Sequence, residues 1–243
     1  FAQADYIQDF GGRLAPEWDD ALRPSKIGID GQYGGDGQSS ISVKQSRFGV
    51  KGTMPTGSTT APLSFKFEFD LFGTGADAGQ TTFRLRHAYG EWGALLAGQT
   101  NSLFMDGDVF PNTIDYWGPT GMVFYRNVQI RWTPYRTDNS HFAIAIERPG
   151  NDIDSGQYRE VADFPGAQGD QELPDLTAHY RLKGDWGHVQ VAGILRWIGT
   201  EVLGDTDPGP DTDLGVLYDD DDTGWGINLT SVVNLFERDA IRV

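Results

Sequence analysis

Residues 62–73 read PLSFKFEFDLFG. Leu63, Phe65, Phe67, Phe69 and Leu71 take the odd positions, with Ser64, Lys66, Glu68 and Asp70 between them. A period of two sends the two sets to opposite faces of a β-strand. In a soluble sandwich the phenylalanines would enter a protein core. In a membrane barrel they would face lipid, and Lys66, Glu68 and Asp70 would line a lumen. Taken alone, the strand fits both.

The rest of the chain repeats the pattern at a steady pace. Strand-like segments fall at 4–10, 41–54, 81–90, 93–104, 128–135, 141–149, 175–183, 188–199 and 225–236, and AIRV starts another. In 41–54 the alternation slips between Val43 and Phe48, which predicts a bulge near Gln45. Connections alternate between short (GEWG, RTDNS, GDWG, ERD) and long, as in an up-and-down meander with two unlike rims. Several segments run about nine to eleven residues, the length that crosses a bilayer when tilted, whereas soluble strands centre on about five or six. Tyr89, Trp92, Trp132, Tyr135, Trp186 and Phe236 sit beside the short turns, where a membrane interface favours rings. Aromatics are also good strand formers anywhere. Phe83, Leu85 and His87 are expected on the lipid face with Phe67, and Arg84 and Arg86 on the wet face.

Composition narrows the classes. Only 38% of residues are hydrophobic, and no run of ~18 apolar residues exists, so a helical membrane protein is excluded and a barrel is not. Thirty-two glycines suit a chain of strands and turns. A net charge of -16 argues against a nucleic-acid partner. Cysteine is absent, which removes disulfides, thiolate metal sites and a cysteine nucleophile. Catalysis finds no footing: there is no G-x-S-x-G, and His87, His141, His179 and His188 lack ligand spacing. No cofactor is expected, and no enzyme activity.

Three constellations remain. Arg47, Lys51, Lys66, Arg84, Arg86, Arg131, Arg181 and Arg196 all fall on wet-face positions. Such a column guides anions through a narrow bore; alternatively it is a solvated face paired locally with Glu68, Asp70 and Glu147. The stretch 105–126 is long and rich in aromatics. Folded into a lumen, it would set Asp106, Asp108 and Asp115 against the arginines, with Tyr116 and Trp117 as packing material; otherwise it caps a rim. Asp219, Asp220, Asp221 and Asp222 are hard-oxygen candidates for calcium, but the spacing matches no EF-hand loop and a solvated acidic loop is the plainer reading.

The run LRHAYGEWGALLAGQTNSLFMDGDVFPNTIDYWGPTG, with ADYIQDF near the start, LRPSKI at 22–27, SRFGVKG at 46–52 and ERPGNDID at 147–154, resembles trimeric porins of the DcaP-like family. The resemblance covers essentially the whole chain. It implies a transmembrane antiparallel β-barrel of sixteen strands, a homotrimer in the outer membrane of Gram-negative bacteria, and passive diffusion of small anionic solutes such as dicarboxylates. It also implies that 105–126 is the inward-folded constriction loop, with Arg84, Arg86, Arg126 and Arg131 on or beside it. Two departures stand out. About ten to eleven strands are present, and the last residue, Val243, is not the terminal aromatic usual in such porins. The expectation is therefore one domain, 1–243, forming part of a porin barrel. Alternatives from other classes are a soluble carbohydrate-active or binding β-sandwich or barrel, and an adhesin-like surface protein using the acidic loops.

Overall fold

The computed structural model describes residues 1–10, 37–57, 61–73, 82–110, 123–150, 167–205, 214–236 and 239–243. Among the described residues there are thirteen strands and one 3-10 turn. The strands are β1 (Asp5–Asp9), β2 (Gln38–Ser42), β3 (Arg47–Met54), β4 (Leu63–Asp70), β5 (Arg84–Trp92), β6 (Leu95–Asn101), β7 (Arg126–Arg136), β8 (Ser140–Glu147), β9 (Ala167–Asp170), β10 (Asp175–Gly184), β11 (Gly187–Asp205), β12 (Leu214–Asn234) and β13 (Ala240–Arg242). The 3-10 turn spans Gly107–Val109. Among the described residues no helix is long and apolar enough to cross a membrane, which leaves a strand-based crossing open.

From β3 to β13 the strands form one eleven-stranded antiparallel sheet, each pairing with its sequence neighbours except that β8 pairs with β10 and β9 stands off the path. Short β9 pairs with the outer part of β11, beyond the stretch that β10 covers. A hairpin of β1 and β2 flanks it, and Phe1 and Arg47 exchange backbone hydrogen bonds of 2.9 and 3.0 Å where β1 meets the start of β3. Among the described residues β3 and β13 do not pair, so the sheet is not closed into a barrel. The short connections, between β5 and β6, β7 and β8, β10 and β11, and β12 and β13, share one rim, and the long ones share the other.

The burial pattern answers the question posed by residues 62–73. Phe65, Phe67, Leu85, Val128, Ile130, Ile146, Leu176, Val191, Leu195, Ile227 and Leu229 are exposed on one face. The opposite face buries Asp70, Arg86, His87, Thr100, Asn127, Gln129, Glu147, Asp175, Thr177, His188, Gln190 and Thr230. A water-soluble sandwich places apolar side chains inside; this sheet does the reverse, as a bilayer-facing wall requires. On the outer face Trp92, Trp132, Tyr135, Trp186 and Phe236 are exposed beside the short turns.

Irregularities decide which side chains go where. The β4–β5 register shifts between Glu68 and Phe69: Glu68 lies opposite His87, Phe69 opposite Leu85, and Arg86 is the extra residue. Both Arg86 and His87 are therefore buried on the inner face, and the outward expectation for His87 is corrected. The bulge avoids setting an imidazole in lipid, and its Nδ1 lies 3.0 Å from Thr100 Oγ1. Past the bulge the phase is inverted. Tyr89 turns to the inner face, edge-on to His87 with ring centroids 6.4 Å apart, and leaves the aromatic rim to Trp92. Pro134, which lacks an amide hydrogen, sits in a second shift between Trp132 and Tyr135. Near Gln45 the break is larger than a bulge. A tight turn, closed by the Ser46 amide on the Val43 carbonyl at 3.0 Å, separates β2 from β3. Gly98 has φ +127°, and a Cβ there would collide with the Ala88 carbonyl, so only glycine fits this approach of β6 to β5.

The acidic run 219–222 is a correction of a different kind. Read as a loop, it lies within β12, with Asp219 opposite Glu201 and Asp222 opposite Ile198. Long β11 and β12 carry their ladder past the neighbouring strands. Consecutive strand residues alternate faces, so Asp219 and Asp221 point away from Asp220 and Asp222, and the four do not converge on one ion.

Candidate functional site

The inner face carries a wall of paired charges. Asp70, at the end of β4, is 1% exposed. It accepts from Arg84 Nε at 2.9 Å, Arg84 Nη2 at 2.7 Å and Arg86 Nη1 at 2.9 Å. Arg86 Nε donates to Glu68 Oε1 at 2.9 Å, and Lys66 Nζ lies 3.1 Å from Glu68 Oε2. Across the sheet, Arg196 Nη2 pairs with buried Asp175 at 2.5 Å. Inward positions on adjacent strands bring these partners together, because register partners of an antiparallel pair share a face.

Two cations differ. Arg131 donates to Gln129 Oε1 at 3.0 Å and to the Asn101 carbonyl at 2.8 Å, both neutral acceptors. Arg126 places its guanidinium carbon 4.6 Å over the Phe124 ring, and its Nη1 is buried without a hydrogen-bond partner among the described residues. Arg84, Arg86 and Arg47 all act on it electrostatically. Two more of the predicted cations lie on β3: Arg47, with its guanidinium carbon 5.4 Å over Phe1, and exposed Lys51, opposite Lys66 in the ladder.

The segment after β6 leaves its own hairpin and lies across the inner face. Glu147 on β8, 1% exposed, receives it first. Glu147 Oε1 accepts from Ser102 Oγ at 3.0 Å, the Leu103 amide at 3.1 Å and Thr177 Oγ1 at 2.6 Å. The Met105 carbonyl accepts from Gln190 Nε2 on β11 at 3.2 Å, and the Phe104 carbonyl from Asn228 Nδ2 on β12 at 2.8 Å. Asp106, 2% exposed, ends the crossing. Its Oδ2 lies 2.7 Å from His188 Nε2 and 2.8 Å from Thr230 Oγ1, and its Oδ1 lies 3.3 Å from Arg181 Nη1. Arg181 Nη2 also donates to Asp108. Asp106 further caps the 3-10 turn by accepting from the Asp108 amide at 3.0 Å. Burial by itself would raise the Asp106 pKa. Hydrogen bonds from His188, Thr230 and the Asp108 amide, with the charge of Arg181, outweigh it and hold the carboxyl below its usual range.

Sequence reasoning set Asp106 and Asp108 facing the arginines across a bore. The structure brings one arginine, Arg181, to both, and turns Asp106 into the wall, where His188 and Thr230 await it. Asp115, Tyr116 and Trp117 lie outside the described residues. Asp106, Asp108 and His188 have ligand-type atoms within 4.8 Å of one another. Arg181 donates to both carboxylates, so a guanidinium holds the position a cation would take. Glu147, Gln190, Asn228 and Thr230 were not singled out as loop partners. Their signal was only that of polar residues at inward positions, shared with many others.

A model of the DcaP outer membrane protein family matches residues 9–235. The fold is similar to the crystal structure of the outer membrane channel DcaP of Acinetobacter baumannii, with a TM-score of 0.72 and 20% identity. The match covers 97% of this chain and 61% of that one, so this chain spans about three fifths of the channel's length. No curated protein matches the chain. The exposed apolar face, the polar inner wall and the family match over most of its length lead to one assignment: the chain belongs to the DcaP outer membrane protein family.

Proposed function

We propose that the protein is a passive channel, not an enzyme, through which small solutes cross the outer membrane with a preference for anions. The observation that carries this is the setting of Arg126. Its guanidinium has a buried donor without a partner among the described residues, and the charges of Arg86, Arg84 and Arg47 act on it against that of Asp70. A passing anion relieves the like-charge repulsion among these cations. Arg131, whose hydrogen bonds among the described residues go to neutral oxygens, adds a second cation that no contacting carboxylate among them cancels. Arg84, Arg86, Lys66, Arg181 and Arg196 contribute less field, because Asp70, Glu68, Asp106, Asp108 and Asp175 offset them at contact.

Dianions such as dicarboxylates are the proposed solutes. They meet two cations where a monoanion meets one, and each contact is worth about 1 kcal/mol in water and more as the dielectric falls. Lys51 and Arg47 extend the basic lining toward the sheet edge, and 105–126 is the constriction loop. The similarity to an outer membrane channel supports a channel, and the family resemblance supports a homotrimer.

The test is the reversal potential of the intact protein in a planar bilayer under a salt gradient. The expected sign is anion-preferring. The preference shrinks from 0.1 M to 1 M salt as the Debye length falls from about 10 Å to about 3 Å. Arg126→Ala with Arg131→Ala should move the potential toward cations and lower dicarboxylate flux. A double variant that conducts with its anion preference intact overturns the assignment of these residues. A protein that purifies without detergent and never conducts overturns the channel.

A further inference from the structure

The narrowing segment is rooted at the end of β6, yet its buried carboxylate is fastened on β10, β11 and β12. We propose that Asp106 is a latch: a positioning residue that holds the segment against the far wall and so sets the bore. This rests on the channel reading above.

The geometry is that of a two-point attachment with reciprocal polarity. At the first point the wall supplies the carboxylate: Glu147 takes the Ser102 hydroxyl and the Leu103 amide. At the second the loop supplies it: Asp106 takes Thr230, His188, Arg181 and its own turn's Asp108 amide. Between them the Phe104 and Met105 carbonyls accept from Asn228 and Gln190, and Leu103 and Met105 are buried. The first point lies near the root and restrains little beyond it. The second is the outermost charged attachment among the described residues. It combines charge-assisted contacts from three strands in a buried site, where such bonds are strongest. Asp108, exposed, shares Arg181 and makes no other wall contact among the described residues. The attachment therefore depends on Asp106.

Removing that carboxylate leaves His188 and Thr230 without this acceptor and leaves the 3-10 turn held to the wall only through exposed Asp108 on Arg181. The segment beyond Met105, whose carbonyl Gln190 still holds, then moves off the wall, and the bore widens. Arg126 and Arg131 stay on β7, so charge preference persists while size selection is lost. A residue that acted only on folding would not separate these two properties.

The experiment uses the intact protein in planar bilayers and in liposome-swelling assays with neutral sugars of graded size. Asp106→Ala is expected to raise the unit conductance and the exclusion limit, with the anion-preferring sign unchanged. Because that variant risks misfolding, Asp106→Cys with Thr230→Cys gives a covalent replacement in a chain that has no cysteine of its own. Bridged by a short bifunctional methanethiosulfonate, it should conduct like the wild type. Cleaved by dithiothreitol, the same inserted channels should step to the higher conductance and pass larger sugars. Equal conductance and equal exclusion limit before and after cleavage overturn the latch and leave the channel reading intact. A wild type that inserts and does not conduct overturns the channel reading, and the latch falls with it.

Discussion

Replacing Asp70 by alanine is expected to be among the costlier single changes on the inner wall. Asp70 is 1% exposed and holds two guanidinium groups. Breaking a buried pair by deleting one partner costs about 3–5 kcal/mol, because the remaining charge is left desolvated. The two arginines do not share that loss equally. The Arg84 side chain is 31% exposed and turns to water, so its share is that of a surface pair, about 0–1 kcal/mol. The Arg86 side chain is 9% exposed but keeps Glu68 at 2.9 Å, which holds its loss near the lower end. The expected total is about 3 kcal/mol. Asp70→Asn should cost less, since its amide oxygen still accepts from one arginine. The measurement is reversible urea unfolding of the intact protein in lipid vesicles, followed by tryptophan fluorescence. It is read as a cycle with Arg86→Ala. Coupling of about 0.5–3 kcal/mol is expected for partners in contact. A loss under about 1 kcal/mol for Asp70→Ala, or strict additivity in the cycle, would refute the reasoning that this pair is buried and mutually dependent.

Two further outcomes follow from the faces and the loop. Phe67→Arg should destabilise by about 2–4 kcal/mol if it lies near the bilayer midplane, whereas Lys66→Arg should be close to neutral. Spin labels at the two positions should report oxygen access at 67 and polar-quencher access at 66, and reversed accessibilities would invert the face assignment. Asp106 has a pKa held below its usual 3.8 in the folded protein. Its contribution is therefore complete above that value and is lost as the pH falls through the lower, folded value. Conductance recorded on acidification should be flat down to about pH 4 and rise below it, with the rise absent in Asp106→Ala; an identical acid response in that variant would exclude Asp106 as its source.

Much of the wall could be read from the residues in order. Alternation is a local property, and Leu63 through Asp70 behave as their period of two requires. Alternation could not choose between lipid and core, because both reward the same pattern. The choice became visible only when the whole sheet showed polar side chains buried and phenylalanines exposed. Local pattern also failed where pairing overrode it. The extra residue at Arg86 is set by the β4 partner strand and its two carboxylates, and it turned His87 and Tyr89 inward. Asp219–Asp222 form a strand against their own propensity because β11 offers them an unpaired edge. The loop was legible as long and aromatic, and an inward fold was among its readings. Its fastening was not legible, since Asp106 meets His188 and Thr230 across 82 and 124 residues. No spacing rule encodes a contact that exists only after the intervening strands have paired and carried both partners to one face.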